Sequence, residues 1–416
     1  MLRHPHAQVT VLGSGLTGST VALELSRAGR RVALIEQDAV AINRSSLRNE
    51  GKIHLGMVYA AEESLATASL MLDGALSFRR LVTVLLNGKT DALATSTPFA
   101  YLVANDSILA PVELGECYDA IESLYRERLR DDPRLDYLGR RPPRIVRPVE
   151  LASLRSRFRI DALIGAFETE ELAIDTERLA VALRTALAND SNIRLLSRCK
   201  IESVARDPGG FHVEGCGPLG AWDVHAEQVV NCLWENRLRF DAQLGVYPAA
   251  GWVHRLKYRV IARLPPQLRE GPSVTMVQGP FGDVVVRPDG YGYFSWYPVG
   301  LRGWSHLLSP PDAWNAPCQG EIEREDAEGL ARAILFAIDA WYPGAADAIP
   351  VLVDAGVIVA YGQTDVDDPG SGLHVRTRVG VESVDGYHTV DPGKLTTAPL
   401  FGFRAARQVL GGTGAA

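Results

Sequence analysis

A glycine-rich turn constrains this chain more than any other feature of its sequence. Residues 13–18 read Gly-Ser-Gly-Leu-Thr-Gly, which is the G-x-G-x-x-G pattern. An apolar, β-branched run at 8–12 precedes the turn, a stretch typical of a helix follows it, and a second apolar run occupies 31–36. This order predicts a β-α-β unit of about 30 residues with buried parallel strands. We therefore expect a Rossmann-like α/β domain.

The glycines of this turn have separate roles in a dinucleotide-binding unit. Gly13 allows the tight turn, Gly15 lets the backbone approach a pyrophosphate, and Gly18 lets helix and strand pack closely. Amide groups at the start of the helix, at Leu16 and Thr17, then face the phosphates. The pattern in this context predicts a bound dinucleotide, with FAD and NAD as alternatives.

An acidic residue follows at the position where such units bind a ribose. Glu36 ends the second predicted strand, 23 residues after Gly13, and Gln37 comes next. A carboxylate at this place accepts hydrogen bonds from a ribose 2′-hydroxyl and disfavours a 2′-phosphate. Glu36 and Gln37 are therefore expected to contact the cofactor.

The composition excludes several classes of function. A formal net charge of −7 argues against nucleic acid as a partner. No run approaches the ~20 apolar residues that a membrane helix needs, and no signal peptide is recognised. Five scattered cysteines without a Cys-x-x-Cys pair indicate neither a zinc site nor a disulfide framework. We expect a cytoplasmic location, with peripheral attachment to a membrane left open.

The order of predicted elements indicates two domains. After about residue 240, Trp, Tyr, Pro and Gly cluster and alternating patterns predict antiparallel sheet. The expected architecture is a discontinuous nucleotide-binding domain with an inserted mixed or antiparallel sheet domain. The first would comprise 1–85, 150–237 and 350–416, and the substrate domain 86–149 and 238–349.

A polar segment at 45–59 forms a second candidate cluster. It reads Ser-Ser-Leu-Arg-Asn-Glu-Gly-Lys-Ile-His-Leu-Gly-Met-Val-Tyr. Small hydroxyl groups can donate hydrogen bonds to a pyrophosphate, and glycines permit close approach to a flat ring. His54 ordinarily titrates near neutral pH, which suits proton abstraction from a hydroxyl or ammonium group. The alternative is a structural histidine held by hydrogen bonds.

A third cluster lies near the other end of the sequence. Residues 390–397 read Val-Asp-Pro-Gly-Lys-Leu-Thr-Thr and precede a helix predicted from Leu395 to Val409. The first amide groups of a helix are free to meet an acceptor. Lys394 adds a positive charge, and a cation at a helix start stabilises the negative charge that a flavin gains on reduction.

Together these clusters resemble the FAD-dependent oxidoreductases of the D-amino-acid-oxidase superfamily. The Ser-Ser-x-Arg-Asn…Ile-His-x-Gly…Tyr pattern is most similar to L-2-hydroxyglutarate dehydrogenases and oxidases. Flavin-linked glycerol-3-phosphate dehydrogenases share Ile-His-x-Gly and Gly-Lys-Leu-Thr-Thr. The resemblance implies FAD as the cofactor and an FAD-binding Rossmann-like three-layer domain.

The resemblance also implies roles for individual residues. His54 would face the substrate. The implied FAD contacts are Ser45, Ser46, Asn49, Lys200, Ile201, Gly393, Lys394, Leu395, Thr396 and Thr397. Pro392 departs from the glycine of that family motif, as Cys232-Leu233-Trp234 departs from the usual Ala/Thr-Gly after the strand.

Several residues are candidates for contact with a substrate. Lys52 and Tyr59 flank His54, and Arg376 with Arg378 could clamp a carboxylate. For each of them the alternative is a surface position. His388 and Tyr361 are further candidates. An aromatic group is predicted to form either a pocket wall or a core face: Tyr291, Tyr293, Phe294, Trp296, Tyr297 and Trp304.

These observations favour an FAD-dependent enzyme that oxidises a small polar substrate, a 2-hydroxy acid, by hydride transfer to flavin N5 while His54 accepts a proton. Electrons would then leave to oxygen, a quinone or a carrier protein. An amine or amino-acid oxidase on the same scaffold is the first alternative. A non-catalytic flavin-binding protein is the second, and an NAD enzyme would leave 45–59 and 393–397 without a role.

Overall fold

The structure, a computed structural model, describes residues 2–3, 7–89, 91–248, 251–279 and 281–411. Its strands in chain order are β1 (Leu2–Arg3), β2 (Ala7–Leu12), β3 (Val32–Ile35), β4 (Lys52–Ile53), β5 (Phe99–Ala104), β6 (Val146–Pro148), β7 (Leu163–Thr169), β8 (Leu172–Ala173), β9 (Ile193–Leu196), β10 (Lys200–Asp207), β11 (Gly210–Gly217), β12 (Gly220–Asn231), β13 (Trp252–Arg263), β14 (Ser273–Val277), β15 (Gly282–Val286), β16 (Tyr291–Trp296), β17 (Leu301–Ser305), β18 (Ile349–Tyr361), β19 (Gly380–Val384) and β20 (Tyr387–Asp391).

The α-helices are α1 (Leu16–Arg27), α2 (Ala66–Leu85), α3 (Pro111–Asp131), α4 (Thr176–Ala188), α5 (Arg237–Gln243), α6 (Pro266–Arg269), α7 (Tyr297–Gly300), α8 (Asn315–Gln319), α9 (Arg324–Asp339) and α10 (Ala398–Val409). Short 3₁₀ turns connect several of them. No helix in the described ranges is long and apolar enough to cross a bilayer.

The first sheet has the predicted parallel core. β9, β3, β2 and the end of β12 pair in that order, and β20 pairs in parallel with β12. The first half of β12 turns away to form an antiparallel meander with β11 and β10. Successive residues of β2 and β3 are buried on opposite faces, which gives the continuous apolar runs of the sequence.

Three layers result from that burial. Val11 and Leu34 pack in a core with residues of α1, α2, α4 and α10. On the other face, Ala33 and Ile35 pack against the β10–β12 meander. The predicted class, a Rossmann-like α/β three-layer fold with an insert, is confirmed.

The second sheet runs in the order β17-β13-β16-β15-β14-β5-β7-β6, and β18 pairs with β13 along its length. Helix α9 covers it with apolar side chains such as Ile334 and Ile338. The proposed domain boundaries stay a prediction. β7 and β18 lie in this sheet, although β7 falls in the segment 150–237 and β18, apart from Ile349, falls in 350–416.

Local signals explain where two helices begin. Asp175 caps α4, as its side chain accepts hydrogen bonds from the amides of Glu177 and Arg178 at 3.0 and 3.1 Å. The last helix begins at Ala398 and not at the predicted Leu395. Proline fits the first helical turn, and Pro399 lies there. Thr396 and Thr397 therefore belong to the preceding loop.

Gly18 permits the contact between α1 and the strand before it. A Cβ atom at this position would lie 1.9 Å from the carbonyl oxygen of Gly13. We predict that Gly18→Ala lowers the melting temperature, because such overpacking costs ~1–3 kcal/mol or more.

Gly329 offers the matched control, since it also lies within a helix and a Cβ there would meet nothing within 4 Å. Gly329→Ala should stabilise by about 0.5–1 kcal/mol. Thermal unfolding of both variants checks the prediction, and an equal melting temperature for Gly18→Ala and the unmodified protein would contradict it.

Candidate active site

A long cavity joins the two glycine turns of the chain. Its empty volume is about 1540 Å³, which includes the open mouth. The predicted cofactor residues that line it are Gly13, Gly15, Leu16, Thr17, Glu36, Gln37, Ser45, Ser46, Asn49, Lys200, Ile201, Gly393, Lys394 and Leu395. Gly18, Thr396 and Thr397 lie behind this wall.

The first turn provides a narrow backbone surface. Gly13 has φ +86°, a left-handed conformation that favours glycine. Gly15 has an ordinary φ of −63°, but a Cβ there would lie 3.0 Å from Ser46 Oγ. Ser46 Oγ also accepts a hydrogen bond from the Leu16 amide at 2.9 Å. Segment 45–59 therefore closes onto the start of α1.

Glu36 lies in the cavity wall beside this turn. Its carboxylate accepts hydrogen bonds from the Ser14 hydroxyl at 2.6 Å and from the Ser14 and Asp38 amides at 3.1 and 2.8 Å. Burial raises the pKa of Glu36, and these hydrogen bonds act against that rise. The arrangement fixes an acceptor where a ribose hydroxyl is expected.

The residues after β12 form the opposite wall. Leu233 and Trp234 line the cavity, and Trp234 Nε1 donates a hydrogen bond to the Val357 carbonyl at 2.8 Å. Trp234, which belongs to the Cys232-Leu233-Trp234 departure from the family motif, thus links the end of β12 to β18 by a hydrogen bond. Further lining residues that the sequence did not single out include Arg44, Arg239 and Phe240.

The turn at residues 390–397, the second glycine turn of the cavity, meets segment 45–59 directly. Thr396 Oγ1 accepts a hydrogen bond from the His54 amide at 2.9 Å. Gly393 has φ +66°, and its amide donates to Asp391 at 3.0 Å. Lys394 lines the cavity, and no hydrogen bond or close ion pair holds its ammonium group within the described part of the chain. This leaves a cation available to a ligand.

His54 is buried at this end of the cavity. Neither ring nitrogen has a hydrogen bond among the described residues, and Glu50 Oε1 lies 3.8 Å from Nε2. Burial lowers the pKa of His54 from its ordinary value of 6.5, and the charges of Lys394 and Lys52 lower it further. Glu50 acts to raise this pKa and offsets the fall only in part. The imidazole is therefore neutral at pH 7 and able to accept a proton.

Glu50 and Lys257 are the partners that the sequence did not reveal. Both line the cavity, and Lys257 Nζ lies 3.3 Å from Glu50 Oε2. Although burial acts to raise the pKa of Glu50, the Lys257 charge holds it well below its usual range. Tyr297, from the predicted aromatic group, lines the same region, whereas Tyr291 and Trp304 are partly exposed.

The other predicted substrate residues divide into three groups. Lys52 lines the cavity, but its Nζ is paired with Asp283 at 2.7 Å. Tyr59 and Arg376 are buried just outside the lining, and Arg376 donates to the Val359 carbonyl at 3.0 Å.

Arg378 is exposed, and Tyr361 does not line the cavity. His388 hydrogen-bonds with Ser383 and Gln228, at 2.7 and 2.9 Å, outside the cavity. The structure therefore brings none of these three to the site.

The lining has the chemistry that FAD requires. One end offers a glycine surface at a helix start, where phosphates bind well. The other end offers Lys394 and a buried imidazole without hydrogen-bond partners, which is unusual unless a ligand completes the site. An extended dinucleotide with a flat ring fits between them.

The fold is shared with several flavin enzymes of known structure. Glycine oxidase from Geobacillus kaustophilus matches with a TM-score of 0.68 and 17% identity, over 100% of this chain and 96% of its own. Iminodiacetate oxidase from Chelativorans sp. BNC1 matches with a TM-score of 0.62 and 20% identity, over 98% and 96%. L-proline dehydrogenase from P. horikoshii matches with a TM-score of 0.65 and 13% identity, over 98% and 94%.

Comparison with family sequences gives the stronger result. No curated protein matches the sequence significantly. The sequence model described as DAO, FAD dependent oxidoreductase, matches residues 8–374, which include the first turn and segment 45–59. FAD is the cofactor of this family. The chain therefore belongs to the FAD-dependent oxidoreductases of the DAO family.

Proposed function

We propose that this oxidoreductase converts a small 2-hydroxy acid into the corresponding 2-oxo acid. The observation that supports the proposal is the neutral, buried imidazole of His54 beside a cation-rich cavity end. An alcohol must lose a proton as its C–H bond transfers hydride, and a neutral imidazole can accept that proton. Bound FAD supplies the hydride acceptor, N5 of the flavin.

We propose that the cavity residues hold the cofactor along its length. Backbone at Gly13, Gly15 and Thr17 would meet the pyrophosphate, and Glu36 a ribose hydroxyl. The Gly393–Thr397 turn would lie by the flavin ring. There Lys394 would stabilise negative charge on the reduced ring.

Positive charge at the end of the cavity that contains His54, the reactive end, supports a carboxylate-bearing substrate. Lys394 and Lys257 both line this region, and their two ammonium groups share the one carboxylate of Glu50. A substrate carboxylate would restore the balance, since buried charges are stable only when they are paired. The resemblance to L-2-hydroxyglutarate dehydrogenases and oxidases points to the same substrate class.

Oxidation of an amine or amino acid is the second candidate. Glu50 supports it, because its carboxylate lies in the cavity beside His54 and could accept a hydrogen bond from a substrate amine. The named structural neighbours act on such compounds, according to their names. Either substrate class leaves oxygen, a quinone or a carrier protein as the electron acceptor.

Anaerobic reduction of the bound flavin separates the two candidates. We expect 2-hydroxy acids to bleach the flavin absorption, and 2-amino acids with the same side chains to leave it unchanged. Bleaching by the amino acids alone would replace the proposal with the second candidate. Absence of bleaching by both series, in protein that dithionite reduces normally, would indicate a non-catalytic flavin-binding protein.

The first turn can be tested through cofactor content. Since the φ of Gly15 suits any residue, a substitution acts through the space it fills. We expect Gly15→Val to abolish FAD binding, and Gly15→Ala, whose Cβ meets only the movable Ser46 hydroxyl at 3.0 Å, to retain part of it. The ratio of flavin to protein absorbance measures this, and full loading of Gly15→Val would contradict the assignment.

The role of His54 predicts both a rate and a pH profile. His54→Gln should keep FAD but slow flavin reduction by ~10²–10⁴-fold, the usual contribution of a general base. Because the pKa of His54 is lowered below 6.5, the rate in the unmodified protein should stay level as the pH falls to about that value, and decrease only below it.

His388→Gln is the matched control for this variant, since that histidine is bonded outside the cavity. Its flavin should be reduced at the unmodified rate. An unchanged rate in His54→Gln would remove His54 from the reaction.

A further inference from the structure

A compact group of histidine and acidic side chains lies on the β10–β12 meander, apart from the cavity. His212 of β11 stands directly opposite His225 of β12, and Asp223 precedes His225 by two residues. The period of a strand therefore places all three side chains on one face. The other face, with Val213 and Val224, packs in the core.

The three side chains lie close together, and the imidazole rings of His212 and His225 are stacked, with their centroids 4.3 Å apart and their planes 10° apart. Asp223 Oδ2 lies 3.4 Å from His212 Nε2 and 3.6 Å from His225 Nε2. All three potential ligand atoms lie within 4.8 Å of one another. Zinc ligands at bond lengths of about 2.0–2.1 Å in a tetrahedron are themselves about 3.4 Å apart. The two distances from Asp223 are close to this value, and an ion that bound both imidazole nitrogens would turn the two rings out of their stack.

The burial of Asp223 is a second, independent observation. Its side chain is 4% exposed, and its Oδ1 atom has no hydrogen-bond partner in the described part of the chain. A buried carboxylate oxygen without a partner is unfavourable unless a cation or donor completes its surroundings. The imidazole of His225 is 44% exposed, so an ion could enter from solvent.

The outer nitrogens of both rings face carboxylates. His225 Nδ1 lies 3.2 Å from Asp207 Oδ2, and His212 Nδ1 lies 3.8 Å from Glu214 Oε1. Metal-binding histidines usually direct their second nitrogen to such an acceptor, which fixes the tautomer and makes the ligand more basic.

We propose that His212, Asp223 and His225 bind one divalent transition-metal ion of the Zn²⁺ class. Imidazole ligands favour zinc and its neighbours over Mg²⁺ and Ca²⁺, which prefer oxygen. Three protein ligands leave at least one coordination position to water. The ion would cross-link β11 and β12, whose carboxyl end leads into the cavity wall at Cys232.

Metal binding by the FAD-loaded protein tests the proposal. Protein made without a histidine tag is freed of metal with EDTA, dialysed against Zn²⁺ and analysed by plasma mass spectrometry. We expect one zinc ion per chain. His212→Ala and His225→Ala should each weaken zinc binding at least about tenfold, with FAD content and circular dichroism unchanged as evidence of folding.

Two control variants define the site. His306→Ala removes an exposed histidine that follows β17 in the other sheet, and should bind zinc normally. His4 and His6 follow Arg3 in sequence, and the backbone of Arg3 pairs with Asp223. A variant with both His4→Ala and His6→Ala shows whether these two histidines contribute to zinc binding. Failure of the unmodified protein to bind zinc, or equal binding after His212→Ala and His225→Ala, would overturn the proposal.

Discussion

A buried carboxylate holds the cavity together. Asp354 of β18 pairs with Arg259 of β13 at 2.6 Å and with Arg48 of segment 45–59. Arg259 also donates hydrogen bonds to the main-chain carbonyls at 47 and 49, at 3.0 and 3.2 Å. Removal of one partner from such a network costs about 3–5 kcal/mol. The second sheet thereby fixes the segment that carries Glu50 into the cavity.

The electrostatics of the reactive end follow from that placement. Glu50 is held ionised by Lys257, while burial and the nearby ammonium groups keep His54 neutral. Burial lowers the pKa of Lys394, and the Glu50 charge acts against that fall. A base and two ammonium groups that share one carboxylate thus occupy one region. This combination suits a reaction in which an anionic substrate loses a proton and a hydride.

Local sequence predicted the parts of the site that depend on local geometry. The first turn was recognisable because glycine spacing, a strand and a helix start lie within 30 residues. Glu50 and Lys257 were missed because their pairing depends on the path of β13 across the cavity. Lys52 was predicted to contact substrate, yet Asp283, far away in sequence, pairs with its ammonium group. The histidine–aspartate group likewise depends on strand register, which residue spacing alone does not show.

We propose that distant parts of the chain hold one FAD molecule between them. A crystal structure of the protein with FAD tests it most directly. We expect the pyrophosphate within hydrogen-bond distance of the Gly15 and Thr17 amides, and the flavin ring against Gly393 and Lys394 beside His54. A flavin ring located away from Lys394, or a pyrophosphate away from the start of α1, would contradict it.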